Sequence, residues 1–313
     1  MRTSTDTRAD LLRALGVFAE PPGPQHCRLA DLLGVPAPTG SDWTEAFTVQ
    51  LVPHASIYLG AEGMLGGDAA ERVAGFWRAL RIPVPADADH LTTLLGLYAT
   101  LIEAQASEPD GPRKVLFGHA RAALLHEHLL SWLLAYTDAM SEVAPTPYAA
   151  WADVLGQAVR GEAAEVGAPD LLPAHLRAAP PPATAHDNLD AVLAYLLSPA
   201  RSGVVLARGH LAALARDGDL GLRMGDRRRI LRALVEQDPG TALPILAEWA
   251  GTRAVRHRAD TALAGPILAH WAERAAATAT LLRTGIAVQE NATPQPPSPP
   301  EGSSADEHRN THA

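Results

Sequence analysis

Apolar positions along this chain recur mostly at helical spacing. Leu11, Leu12, Leu15 and Phe18 form a first stripe, predicting a helix over 5–19 that Pro21 and Pro22 end. A short apolar piece, Leu29 to Leu33, closes at Gly34 and Pro36. Trp43, Phe47 and Leu51 share a face of the next helix, which Asp42 is expected to open as the cap of an Asp42–Glu45 capping box. After a glycine-rich loop, Asp68 and Glu71 repeat that signature ahead of Val73, Phe76, Trp77 and Leu80. Pro83 and Pro85 break this helix. Asp87 or Asp89 is expected to cap the next, whose stripe is Leu91, Leu94, Leu95, Tyr98 and Ile102. The longest helical stretch runs from Arg113 to Met140, and another carries Tyr148, Trp151 and Leu155 to about Val166.

No stretch of this half alternates with a period of two, so no sheet is expected. Residues 168–186 hold Pro169, Pro173, Pro180, Pro181 and Pro182 with little apolar periodicity, and read as a linker. Helical stripes resume at 187, among them Leu189–Leu196, Ile230–Val235, Leu243–Trp249 and Ile267–Leu282. Residues 289–313, rich in Pro, Ser and charge, are expected to be disordered. The expectation is an all-α chain: a helical domain over 1–167, a linker over 168–186, a smaller helical extension over 187–288, and a tail.

Composition adds to this picture. Hydrophobic residues are 47% and aromatic ones 5%, a balance that favours helix. The net charge of −9 weighs against wholesale binding to nucleic acid and suits a cationic partner. Cys27 is the only cysteine, which excludes an internal disulfide and a cysteine-built zinc site. The N-terminus lacks the apolar core of a secretory signal, and no run is long enough to span a membrane, so the expected location is cytoplasmic.

Candidate chemistry is sparse. His119, His126 and His128 cluster, but HEHLL lacks the spacing that turns two imidazoles to one ion. Ser56 and Ser202 lack a nucleophile elbow, and no Gly-Lys-Ser/Thr follows the Gly60–Gly67 loop. Tyr58, an amphipathic ring in the glycine-rich loop Pro53–Gly67, reads as a recognition residue. Arg223, Arg227, Arg228, Arg229 and Arg232 follow a segment, Leu206–Leu222, with a helix-turn-helix flavour. A helical DNA-binding or regulatory protein is therefore the alternative reading.

Three motifs together resemble the TorD/DmsD/NarJ group of molybdoenzyme maturation chaperones. They are Pro53-His54-Ala55-Ser56-Ile57-Tyr58-Leu59 with the glycines after it, Asp87-Ala88-Asp89-His90-Leu91, and His126-Glu127-His128-Leu129-Leu130-Ser131-Trp132. His54 stands where the group usually has Tyr or Trp, and Asp87-Ala88 replaces its Glu-Pro. The resemblance implies a TorD-like helical bundle that is not an enzyme and carries no cofactor of its own, monomeric or homodimeric. It also implies that the chain binds the twin-arginine leader of a molybdopterin oxidoreductase precursor and holds the apoenzyme until cofactor insertion. On that reading the leader meets Pro53, His54, Tyr58, Asp87, Asp89, His90, Leu91, His128 and Trp132. A carboxylate such as Asp89 suits a guanidinium, and Tyr58, Asp89 and His90 are expected to share one exposed groove.

Overall fold

The computed structural model describes residues 4–60 and 63–290; the tail expected over 289–313 lies almost wholly outside them. The chain is all-α, with no strand among the described residues. The helices are α1 (Ser4–Phe18), α2 (Pro24–Leu33), α3 (Gly40–Trp43), α4 (Ala55–Leu59), α5 (Gly67–Ala79), α6 (Leu91–Ser107) and α7 (Pro112–Ala123). They continue with α8 (Leu133–Val143), α9 (Thr146–Val166), α10 (Ala174–Arg177), α11 (Leu189–Leu196), α12 (Pro199–Ser202) and α13 (Arg208–Asp217). The last are α14 (Arg227–Gln237), α15 (Pro239–Ala259), α16 (Thr261–Ala264) and α17 (Pro266–Glu290). Two π-helical turns, Thr44–Gln50 and Leu124–Leu130, extend α3 and α7.

The stripes read from the sequence face mostly inward, although Leu11 of the first is exposed. Leu12, Leu15 and Phe18 of α1 are buried against α6, where the Thr92 hydroxyl donates to the Gly16 carbonyl (2.8 Å). Phe18, Phe47, Tyr148 and Trp151 pack edge to face, and the Trp151 indole N–H donates to the Leu15 carbonyl (3.0 Å). A buried network joins α1, α6, α7 and α9: Glu162 accepts from Arg8, Tyr98 and Arg121.

There are two apolar cores. The first is built mainly from residues 9–163, and also takes in Leu176, Ala200, Ala264, Ile267, Leu268 and Trp271. The Trp271 indole donates to the Ser131 carbonyl (3.0 Å), so α17 reaches back into the first half of the chain. The second core runs from Ala183 to Leu282, around α11, α13, α14 and the antiparallel pair α15–α17. The proline-rich segment 168–186 lies against both: Ala174 N donates to the Glu127 carboxylate (2.7 Å), and Arg274 donates to the Pro180 carbonyl (3.0 Å).

Three helix starts differ from the sequence reading. Thr39 caps α3, with Asp42 as the third helical residue returning a bond to Thr39 N (2.8 Å). Gly66 precedes α5 at φ 89°, so Asp68 lies in the first turn and makes no cap. His90 caps α6, its Nδ1 accepting from Thr92 N (3.3 Å). The stretch Arg113–Met140 is also not one helix. It breaks at Ser131–Trp132 without glycine or proline, because side chains replace the backbone donors. The Ser131 hydroxyl donates to the Glu127 carbonyl (2.8 Å) and the Trp132 indole to the His128 carbonyl (2.9 Å).

The arginine cluster is largely paired. Arg228 and Arg232 bond Asp190, Arg232 also bonds Glu236, and Arg227 donates to the Leu206 carbonyl (2.9 Å). Residues 218–226 separate α13 from α14, a longer connection than the three- or four-residue turn of a helix-turn-helix.

Candidate functional site

The first two motifs are joined by backbone. Leu91 N donates to the Pro53 carbonyl (2.9 Å) and Ala55 N to the Asp89 carbonyl (3.0 Å), an isolated antiparallel bridge pairing His54 with His90. Their rings meet edge to face at 4.7 Å. The Asp89 side chain completes the joint. It is 6% exposed and accepts from Ser56 N (3.0 Å), so it caps α4 from a distance of 33 residues in sequence. The Ser56 hydroxyl in turn accepts from Gly66 N (3.0 Å), which folds the glycine loop back over α4. Gly63 in that loop has φ 63°, and a Cβ there would lie 2.4 Å from the Leu197 carbonyl oxygen, so only glycine fits.

The third motif packs beneath. Tyr58 stacks on Trp132 with centroids 5.1 Å apart and planes 12° apart, and Tyr136 closes edge-on at 5.2 Å. The Tyr58 hydroxyl donates to the Val52 carbonyl (2.8 Å), and burial pushes its pKa well above the usual phenol range. Tyr58, Leu91 and Trp132 are at most 1% exposed. The expected exposed groove containing Tyr58 and Asp89 is therefore absent. These residues do converge, but as core and cap. The reason is geometric: α4 has five residues, and its cap must come from the 87–91 turn that bridges to it.

What faces outward is a smaller surface. Asp87 is exposed, and His54 and His90 are half-buried. Glu20, after α1, lies 3.8 Å from His90 Nδ1. His54 Nδ1 has no hydrogen-bond partner. Burial, and then the neighbouring His54, hold His90 below its ordinary pKa, against the pull of Glu20, Asp87 and Asp89. The surface thus carries the His54–His90 pair close to the carboxylates of Glu20 and Asp87, whose oxygens can accept hydrogen bonds from a cation. Glu20 escaped the sequence reading, because no motif or periodicity links the end of α1 to residue 90.

The Asp89 cap sets one expected outcome. Asp89→Ala should lower the unfolding free energy by about 2 kcal/mol, since it leaves Ser56 N–H buried without an acceptor. Asp89→Asn, which keeps an acceptor oxygen, should recover most of that loss in a urea titration. Equal losses for the two would contradict the capping role.

The clustered histidines of the sequence, His119, His126 and His128, do not converge. His119 is exposed, and His126 Nε2 bonds the Gly167 carbonyl (2.9 Å). His128 turns inward to meet His175 of α10, Nδ1 to Nε2 at 3.3 Å, under the Phe76 ring. Among the described residues no three His, Cys, Asp or Glu side chains gather as a metal site. Burial pushes His128 down to about 4; burial, and then the charges of His128 and Arg72, push His175 down to about 3. Both are neutral in the fold at neutral pH, whereas each takes up a proton near pH 6.5 when unfolded. Below about pH 6.5 the unfolded chain therefore binds more protons than the folded one, and stability falls as pH drops towards 4. Urea midpoints measured across that window should show the decline, and His175→Gln should flatten part of it. An unchanged slope would contradict this account.

A second concavity lies between α13, α15 and the end of α8. Its volume is about 660 Å³, and Val143, Gly209, Ala213, Ile245 and Trp249 are among the residues lining it. Below its wall the Glu142 carboxylate accepts from Arg253 and Arg256, with His210 Nε2 at 3.4 Å.

Residues 39–138 match the family model of the nitrate reductase delta subunit, a family of the group that the three motifs resemble. That family consists of molybdoenzyme maturation chaperones acting with nitrate-reductase-type enzymes, and the match supports a chaperone role for the chain. The matched stretch contains all three motifs and ends within α8. No curated protein matches the chain.

Proposed function

We propose that this chain is a maturation chaperone that binds the twin-arginine leader of a molybdopterin-dependent oxidoreductase precursor in the cytoplasm, holding the apoenzyme until its cofactor is inserted. The observation that carries this reading is the surface at the joint of the first two motifs. Glu20 lies 3.8 Å from His90 there, Asp87 is close enough to act on His90 electrostatically, and the whole lies within or beside the family-matched stretch. Adjacent guanidinium groups need carboxylates for charge-assisted hydrogen bonds, and two carboxylates on one small surface meet that need. His54, Asp87 and His90 would touch the leader directly. Pro53, Tyr58, Asp89, Leu91, His128 and Trp132 would act through them, by holding the two turns in register. The net charge of −9 would draw a cationic peptide to this surface from a distance. No helix among the described residues is long and apolar enough to cross a membrane, so the leader would be met on a water-facing surface.

The reading is tested by calorimetric titration with a synthetic leader carrying adjacent arginines followed by an apolar stretch. Binding should weaken at least about tenfold when both arginines become glutamines, and should weaken with added salt. Equal binding of the two peptides, or no binding of either, would sink the proposal.

A further inference from the structure

We propose that the groove between α13 and α15 seats the apolar stretch of the leader as a helix. This inference rests on the leader-binding reading and extends it. The motif surface offers carboxylates but no apolar trough, because Tyr58, Leu91 and Trp132 are all buried beneath it. An apolar stretch directly after the arginines must be covered elsewhere, within reach of that surface.

The groove meets both requirements. Its apolar floor comes from two helices at helical spacing, Gly209 and Ala213 on α13 and Ile245 and Trp249 on α15, while charged residues such as Arg216 and Glu248 line the rest. Such a trough between two helices takes the apolar face of a third. Trp249 is half-exposed in it, its indole fixed by the His210 ring at 4.3 Å and by the Arg253 guanidinium at 5.3 Å. A rigid, partly open indole is the kind of anchor that dominates binding energy.

Continuity with the motif surface identifies the occupant. Gly209, at the mouth of the groove, donates its N–H to Gln50 Oε1 (2.7 Å). A Cβ on Gly209 would lie 2.9 Å from Val143, so glycine is what lets the wall close on α8. Gln50 precedes His54 by four residues, which span at most about 13 Å. The His54–His90 pair is therefore joined to the wall of the groove by a short piece of chain, and a leader held at that pair lies near the groove. Charge at the rim agrees. Arg253 and Arg256 occupy Glu142, and Arg216 lies beside Asp217, which leaves Glu248 as a carboxylate without an ion pair among the described residues. A rim of this sign tolerates a cationic leader.

The test uses the full chain and two synthetic peptides. One carries adjacent arginines and an apolar stretch; in the other the apolar stretch is replaced by serine and glycine. Ala213→Trp, which fills the groove, should weaken the first peptide at least about tenfold and leave the weaker binding of the second unchanged. Glu248→Arg should weaken the first by a smaller factor. A photo-cross-linker in the apolar stretch should attach to α13 or α15 of the unsubstituted protein, a result that stands even where Ala213→Trp folds poorly. If the unsubstituted protein binds the leader but cross-links elsewhere, and both variants bind as well as it does, the groove assignment is wrong and the leader reading survives. The same holds if the groove instead joins two copies, so that Ala213→Trp abolishes a dimer without altering leader binding. If the unsubstituted protein binds neither peptide, the leader reading fails and the groove assignment with it.

Discussion

Trp132→Ala should cost about 4 kcal/mol of unfolding free energy, the largest loss expected from any single change near the motifs. The side chain is fully buried, and its removal acts on three contacts at once. It opens a cavity under Tyr58, which stacks on the indole at 5.1 Å, and it strips an edge from Tyr136. It also leaves the His128 carbonyl, freed by the break between α7 and α8, without the indole donor that satisfies it. Trp132→Phe keeps most of the volume and loses the hydrogen bond, so its cost should be nearer 1–2 kcal/mol. Denaturant titrations of the two variants separate cavity from hydrogen bond. A Trp132→Ala loss below about 2 kcal/mol would mean that the stack with Tyr58 is not what holds the glycine loop to the third motif.

Glu142→Ala should cost about 3 kcal/mol, by leaving the buried Arg253 guanidinium without a carboxylate. Arg253 is 6% exposed, and Glu142 accepts from two of its nitrogens as well as from Arg256. Glu142 is itself partly exposed, which places the estimate at the low end of the range for breaking a buried pair. Burial alone would raise its pKa. His210, with Nε2 at 3.4 Å, and the hydrogen bonds and charge of Arg253 outweigh that and hold it well below the usual carboxylate range. A depressed carboxylate contributes stability above its unfolded pKa near 4.3, and this is lost as pH falls further. The Glu142→Ala deficit should therefore be full at pH 7 and shrink in acid. Glu142 sits on α8, while Arg253 and His210 sit on α15 and α13, so the loss should also loosen the second core from the first. Faster amide exchange in α13 and α15 than in α6 would register this. A deficit independent of pH would contradict the ionic account.

How much of this was legible beforehand differs by level. Helices came through because each stripe, such as Val73–Leu80 or Leu91–Ile102, buries against a neighbour, and period 3.6 in the sequence is period 3.6 on the face. Their starts did not. Asp42, Asp68 and Asp89 all stand where a cap is plausible, but acidic residues suit the first turn as well as the cap, and the sequence does not separate the two. Asp89 in fact caps α4 rather than the helix that follows it, a choice made by the backbone bridge to Pro53–Ala55. The motifs themselves were visible, and the structure brings them together. Their exposure was misjudged for one reason. An aromatic in a glycine loop reads as displayed, whereas Tyr58 belongs to a short helix whose inner face it covers. Glu20, the return of Trp271 to the first core and the α13–α15 groove depend on contacts over long sequence separations, and no local pattern encodes those.

The central claim is that the carboxylates of Glu20 and Asp87 receive the leader's arginines, while Asp89 only positions the surface. Isothermal titration of one synthetic twin-arginine leader into three proteins tests it: the unsubstituted chain, the Glu20→Ala/Asp87→Ala double variant and Asp89→Asn. The account predicts that the double variant binds at least about tenfold more weakly with unaltered thermal stability, and that Asp89→Asn binds nearly as well as the parent. Full-strength binding by the double variant, or loss confined to Asp89→Asn, would contradict it.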